Sequence, residues 1–290
     1  MQRNLSTAEF AEAIGISESS ARRLADSDEI RIQRSKGGHR KIPVSEAIRY
    51  VREVNVNVVR PDLLGLSISA KGVATESSAE DSWSERLLAA LSEGHFNVVI
   101  GLMQAMYVGH TSIAEICDGP IRYAMSAIGS MWPHDKRSIF IEHRATVLCV
   151  RALCQIRLSL PDIPENAPLA MGAAPQDDPY LLPSLMASLA LYECGFDEVN
   201  LGPNTPVDVL TDSVEDEKPK VVWLAITNPV RSRARLREIE HLAKAVDQYG
   251  GLFLVGGLNA VTYTGQNAQY CQSMSELKTR VAGYVDRDSL

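Results

Sequence analysis

Val221-Val222-Trp223-Leu224-Ala225-Ile226-Thr227 is a continuously apolar run that ends in a hydroxyl side chain. A strand covered by helices on both faces has this composition, so the run predicts an inner strand of a parallel sheet. The flanking segments agree. Arg231–Tyr249 after it has the pattern of a long amphipathic helix, and Leu252-Phe253-Leu254-Val255-Gly256-Gly257 reads as the next strand, ending in a glycine pair. Before it, Leu169-Ala170-Met171-Gly172 predicts a short buried strand, Tyr180–Cys194 a helix, Glu198-Val199-Asn200-Leu201-Gly202 a second strand and Val207–Val214 a short helix. A terminal strand near Tyr270–Ser273 and a helix over Met274–Tyr284 close the series. Alternating strands and helices over 165–290 imply a doubly wound α/β module of the flavodoxin or Rossmann kind. Ligand is then expected at the carboxyl ends of the strands: Gly172–Asp178, Gly202–Pro206, Thr227-Asn228 and Gly256-Gly257.

The preceding residues, 81–160, lack β signals. Four helices are expected: Trp83–Ser92, His95–Tyr107, Ser112–Ile128 with an interruption at Gly119-Pro120, and a last one after Trp132. Each carries a wide apolar stripe and the connections are short, which predicts an antiparallel four-helix bundle. Met103, Met106 and Met125 need no role beyond packing there. The entry to the last helix reads Trp132-Pro133-His134-Asp135-Lys136-Arg137-Ser138-Ile139-Phe140-Ile141-Glu142-His143. On one helix Trp132 and His143 lie within ~17 Å, close enough to bracket a large planar ligand.

Residues 1–55 form a separate head. Ser6 and Glu9 are spaced as a capping box for a helix over Thr7–Ile14, which Gly15 can end in the left-handed conformation. Ser17 is placed to cap a second helix, Glu18–Ala25. Helix, glycine turn and helix at this spacing predict a helix-turn-helix whose second helix exposes Ser19, Ser20, Arg22 and Arg23 to a major groove. Ile30–Arg34 and His39–Ile42 then read as two strands about the turn Ser35-Lys36-Gly37-Gly38, a wing whose Arg34, Lys36, His39 and Arg40 can grip phosphates. Pro43-Val44-Ser45 opens a further helix to about Val54. Residues 56–80 read as a linker. Lys71–Asp81 is small and polar and expected to be mobile, whereas Arg60-Pro61-Asp62-Leu63-Leu64-Gly65-Leu66 is apolar enough to dock.

Composition excludes several classes. No apolar run is long enough to span a bilayer, and no signal pattern is present, so a cytoplasmic protein is expected. Five cysteines without a CxxC pair argue against a disulfide framework and a thiolate zinc site. The net charge of −7 argues against wholesale coating of nucleic acid, but residues 1–55 carry ten Arg and Lys against eight Asp and Glu. A slightly basic head on an acidic body fits a DNA reader attached to something else. No convincing catalytic set is present. His95, His110, His134 and His241 are scattered, and Asp177 and Asp178 are better placed to cap the following helix than to do acid–base work.

The helix-turn-helix with its Ser-Lys-Gly-Gly-His-Arg wing resembles the winged heads of MerR-type and excisionase-type regulators. With Trp132-x9-Glu142-His143 in the bundle and Leu201-Gly202-Pro203-Asn204-Thr205-Pro206 in the α/β part, the whole chain resembles the cobalamin-dependent, light-sensing MerR-type repressors of carotenoid genes. That resemblance implies adenosylcobalamin as a light-cleaved cofactor, Trp132 and Glu142 over its adenosyl group, and His143 as the upper-face partner after photolysis. It also implies an operator in double-stranded DNA and self-assembly into a homodimer or homotetramer. One motif departs from the family. Where the cobalamin module has Asp/Glu-x-His-x-x-Gly, this chain reads Asp178-Pro179-Tyr180-Leu181-Leu182-Pro183, so Tyr180 stands in place of the cobalt-binding imidazole. Ala225-Ile226-Thr227 replaces the small polar segment that ends the third strand, while Gly256-Gly257, which lets the nucleotide tail approach, is retained. Three readings follow: cobalamin bound without a protein lower ligand, another tetrapyrrole in the same cleft, or no ligand and action through protein contacts.

The expected function is therefore a transcriptional regulator, not an enzyme, whose bundle and α/β module set the assembly and operator binding of its heads. The alternatives are a corrinoid carrier or transferase subunit, and an interaction protein with a relic pocket.

Overall fold

Ser6 starts the first helix as its spacing predicts. Its hydroxyl accepts from the amide of Glu9 at 3.2 Å, and the Glu9 carboxylate accepts from the amide of Ser6 at 2.7 Å. In the computed structural model, which describes residues 4–27, 29–66, 83–131, 136–263, 265 and 267–284, the helix is α1 (Thr7–Ile14). Gly15 ends it at φ 72°, a conformation that costs a glycine little. Ser17 caps α2 (Glu18–Asp26), and α3 covers Val44–Val54. Around them lies a small antiparallel sheet of β1 (Asn4–Leu5), β2 (Gln33–Arg34) and β3 (Arg40–Pro43), with β3 in the centre. Leu5, Phe10, Ala21, Ile30, Ile42 and Ile48 fill the core between helices and sheet.

Two details differ from expectation. Ile30–Arg34 is not a full strand, because the Arg31 amide donates to the buried Glu46 carboxylate at 2.8 Å instead of to a ladder partner. β1 adds a strand that two residues could not announce; Leu5 pairs with Ile42. The apolar segment after the head packs back onto it. The amides of Val59 and Arg60 donate to the Ala13 carbonyl, and Leu64 and Leu66 are buried. The stretch expected to be mobile, Lys71–Asp81, lies outside the described residues.

The chain divides into two compact units, Met1–Ser112 with Gly119–Asp162, and Ile113–Asp118 with Ile163–Leu290. Beside the head, the described residues of the first unit hold four helices: α4 (Trp83–Glu93), α5 (Phe96–Val108) and, beyond the short α6 (Ile113–Ile116) of the second unit, α7 (Arg122–Met131) and α8 (Lys136–Arg157). α4 and α8 each pack against the other three, as in a four-helix bundle, and Leu87, Leu91, Leu102, Met103, Ile128, Ile141 and Leu153 are buried. The interruption expected at Gly119-Pro120 is a π-helical turn, Cys117–Ile121. Pro120 has no amide hydrogen to give, so the regular ladder cannot continue through it.

The second unit is built on five parallel strands: β4 (Leu169–Ala173), β5 (Asp197–Asn200), β6 (Val221–Ala225), β7 (Leu252–Gly256) and β8 (Gln269–Cys271). Their order is β5-β4-β6-β7-β8, so the winding reverses between β4 and β6. The connecting helices are α9 (Leu181–Glu193), α10 (Val207–Glu217) and α11 (Arg233–Gln248), and α12 (Met274–Val281) ends the unit. Residues 113–118 belong here because the Asp118 carboxylate accepts from the first amides of α12, Met274 and Ser275, each at 2.8 Å. On one face Met171, Val222, Leu224, Phe253 and Val255 meet Leu210, Val214, Ile239 and Leu242. On the other, the Trp223 indole lies against Gly172 and donates to Ser184 Oγ of α9 at 3.1 Å. Among the described residues no helix is long and apolar enough to cross a membrane.

A Cβ on Gly172 would fall 2.1 Å from the indole and 2.4 Å from the Trp223 carbonyl oxygen, and the latter cannot move aside. Gly172→Ala is expected to lower stability by about 1–3 kcal/mol, read as a shifted midpoint in urea by circular dichroism. An unchanged midpoint would mean that the indole is loosely held.

Candidate functional site

The carboxyl ends of the parallel strands are laced by polar side chains. Asp178, only 1% exposed, accepts from the amides of Thr227 at 2.5 Å and Asn228 at 2.8 Å. The Asn228 side chain donates back to the Asp177 carbonyl at 2.7 Å. The Asp177 amide donates to Asn204 Oδ1 at 2.8 Å, and the Asn204 amide to the Asp178 carbonyl at 2.8 Å. Asn259 Nδ2 donates to the Thr227 carbonyl at 2.5 Å. The loops after β4, β5, β6 and β7 are thus tied into one rim. Asp177 and Asn204 hold left-handed backbone, φ 71° and 58°, which asparagine and aspartate tolerate better than most residues.

The expectation that Asp177 and Asp178 cap the following helix holds only in part, through one bond from the Tyr180 amide to Asp178 Oδ1 at 3.3 Å. Tyr180 occupies the cap position of α9 without a side-chain cap, and the Asp178 carboxylate makes its two shortest bonds across the sheet. Bonds from two amides to one charged acceptor outweigh one bond at a helix end. Asn204 and Asn228 fall in the strand-end segments expected from sequence to face a ligand, whereas Asn259 was not singled out. The available signal was an asparagine in each of the loops after β5, β6 and β7.

Of the residues proposed for a cofactor, Tyr180, Thr227, Gly256 and Gly257 all lie at this rim. Tyr180 is 45% exposed, and Thr227 Oγ1 is buried with no hydrogen-bond partner among the described residues. Gly257 has φ 106°, and a Cβ there would sit 2.5 Å from the Ile226 carbonyl oxygen. The approach of β7 to β6 therefore requires this glycine, whatever is bound. On the bundle, Glu142 is half-buried on α8 and His143 exposed, on a face shared with the exposed Ile139, Phe140 and Val147. Trp132 lies outside the described residues.

The donors at the rim do not fit a cobalamin whose cobalt is held by the protein. Tyr180 offers a phenol where an imidazole is needed, and Asp178, the acidic member of the motif, spends its carboxylate on backbone amides. Among the described residues, no group of three or more His, Cys, Asp or Glu is placed to hold a metal. Burial pushes the thiols of Cys194 and Cys271 up to about 11 and that of Cys149 to about 12, so none is a ready thiolate.

The head residues divide by how far they are already engaged. Arg22 pairs with Glu18 at 2.7 Å, and Arg40 grips Asp26 through two nitrogens, tying the hairpin to the end of α2. Ser20 Oγ lies 2.9 Å from Ser17 Oγ and accepts from Arg23 at 3.3 Å, and Ser19 Oγ is 2.9 Å from Ser17 Oγ. Arg34, Lys36 and His39 are exposed along the hairpin, and Arg34 and Lys36 have no ion-pair partner among the described residues.

No protein-family model matches the chain, and no curated protein matches it in sequence. Solved structures do match. The monomethylamine corrinoid protein of Methanosarcina barkeri superposes with a TM-score of 0.52 at 12% identity, over 70% of this chain and 98% of that one. The methanol:cobalamin methyltransferase complex MtaBC of Methanosarcina barkeri gives 0.34 at 14% identity, over 76% of this chain and 91% of that one. A cobalamin-binding protein of Desulfitobacterium hafniense DCB-2 gives 0.35 at 15% identity, over 69% and 97%. The first of these establishes a likeness of fold: helices together with a five-stranded parallel α/β sheet, the architecture of a corrinoid protein.

Asp178→Ala strands the amides of Thr227 and Asn228. It is expected to cost about 1.5–3 kcal/mol in urea unfolding and to speed hydrogen exchange at those two amides. Exchange as slow as in the parent protein would contradict the lacing.

Proposed function

We propose that the chain is a DNA-binding regulator in which a winged helix-turn-helix head is governed by a body of corrinoid-protein fold. The observation that carries this reading is the head itself. Two capped helices meet at a left-handed glycine, and the second stands beside a β-hairpin edged with unpaired cations. α2 is the element of a size and polarity to enter a major groove, with Ser19 and Arg23 toward the bases. Arg34, Lys36 and His39 supply phosphate contacts along the hairpin.

The attachment of head to bundle supports control from the body. The Arg52 guanidinium of α3 stacks 3.8 Å over the Tyr107 ring of α5 and donates to the carbonyls of Tyr107 and Thr111. His110 Nε2 lies 3.0 Å from Asn55 Oδ1. A change at the end of α5 thereby shifts the angle of α3 and the head that α3 closes. One small head binds DNA weakly, so affinity comes from assembling two or more copies at half-site spacing.

A second reading, a corrinoid carrier, is favoured by the likeness to the monomethylamine corrinoid protein, of which 98% is covered. Against it stand Tyr180 at the ligand position and the 30% of this chain that has no counterpart there. The two readings separate in one pair of measurements on the full chain. The regulator retards duplex DNA from its own promoter region. The carrier takes up hydroxocobalamin with a spectral shift and ignores DNA.

For the regulator, Arg34→Ala and Lys36→Ala are each expected to weaken duplex binding across sequences and to reduce the salt slope by about one. Arg22→Ala and Arg40→Ala are expected to act less, since their guanidinia are already paired. Fluorescence anisotropy over a salt series measures both, and equal binding by all four variants would remove the head as a DNA reader. For the corrinoid fold, Tyr180→His is expected to give a histidine-on cobalamin spectrum that the parent protein lacks. No change would mean that the rim does not seat the macrocycle.

A further inference from the structure

We propose that the crevice between the loops following β4 and β6 binds a small anionic metabolite through a phosphate or carboxylate group. The crevice lies where the winding of the sheet reverses, outside the carboxyl ends of the two central strands, the place where open α/β sheets seat ligands. Its volume is about 240 Å³. That is under the roughly 300–1,000 Å³ of sites for drug-sized ligands. It fits a molecule of a few heavy atoms.

The lining sets apolar Val207, Val230 and Ile239 beside Asn228, two guanidinia, Arg231 and Arg235, and two carboxylates, Asp177 and Asp178. The cavity is preformed, because its two loops are bound to each other by Asp178 to Thr227 and Asn228, and by Asn228 to Asp177. Arg235 is held by Glu238 at 2.7 Å, which fixes its guanidinium at the mouth. Arg231 is exposed and has no partner among the described residues. Of the two carboxylates in the lining, Asp178 is taken up by the amides of Thr227 and Asn228, and Asp177 lies 3.9 Å from Arg235 with its side chain 79% exposed, so it can swing aside for an incoming anion. The first turn of α11 adds no acidic side chain, and Ser232 makes no side-chain cap there. Two guanidinia on an apolar cleft of this size suit a planar or tetrahedral anion better than a neutral or cationic ligand.

The test is calorimetric titration of the full chain with inorganic phosphate and with malonate, each at constant ionic strength set by sodium chloride, together with Arg231→Gln and Arg235→Gln. Saturable binding of either anion is expected, and the stronger of the two identifies a phosphate ester or a carboxylate as the natural group. Each variant is expected to bind about tenfold more weakly, the loss of one charge-assisted hydrogen bond. Arg231 is on the surface, so its variant keeps the fold. Binding no stronger than that of chloride, or unchanged binding by both variants, overturns the proposal. Neither DNA nor a corrinoid enters the experiment, so its outcome is independent of the regulatory reading.

Discussion

The Asp178 carboxylate, buried at the end of the first parallel strand, is the interaction on which the functional end of the α/β unit depends. Its two short bonds to the amides of Thr227 and Asn228 join chain segments about fifty residues apart. An amide at a strand end has no ladder partner, and burying it unpaired is costly. One acceptor solves that problem twice and in doing so fixes the loops that surround every candidate ligand position in the unit. The asparagines at 204, 228 and 259 extend the same solution to neighbouring loops. A rim so constrained changes little when a ligand arrives, and selects by shape and charge already in place.

The same constraint separates fold from chemistry. The fold is similar to that of a corrinoid protein, yet the polar side chains at its rim are tied to the rim's own loops. Gly257 is explained by the approach of two strands, Asp178 by two amides, and Tyr180 by a helix end that needs no metal. Architecture of this kind hosts many ligands, so the residues at the strand ends decide what binds. In the other unit, the stacking of Arg52 on Tyr107 gives the head a definite attachment where a flexible tether would leave it free.

What the sequence revealed followed the range of the interactions involved. The capping box of Ser6 and Glu9, the stop at Gly15 and the apolar strands are local, and their spacing is written in adjacent residues. The two-residue strand at Asn4–Leu5 and the loss of pairing at Arg31 are decided by partners 15 to nearly 40 residues away, Glu46 and Ile42, and no local pattern signals them. At the candidate site, Tyr180 and Thr227 could be placed from the order of strands. The direction in which Asp178 points could not, because helix cap and cross-sheet staple use the same residue type. The pairings of Arg22 and Arg40 depend on side-chain geometry that composition does not contain.

The indole of Trp223 has a consequence for how the molecule can be watched. It is 2% exposed, hydrogen-bonded to a serine of a helix and pressed on a glycine of the next strand, whereas Trp83 is 36% exposed on the first helix of the bundle. Of the chain's three tryptophans, these two therefore emit at different wavelengths, the interior one to the blue. Loosening of a helix from its sheet and fraying of the bundle carry separate optical signatures, with no label added to either.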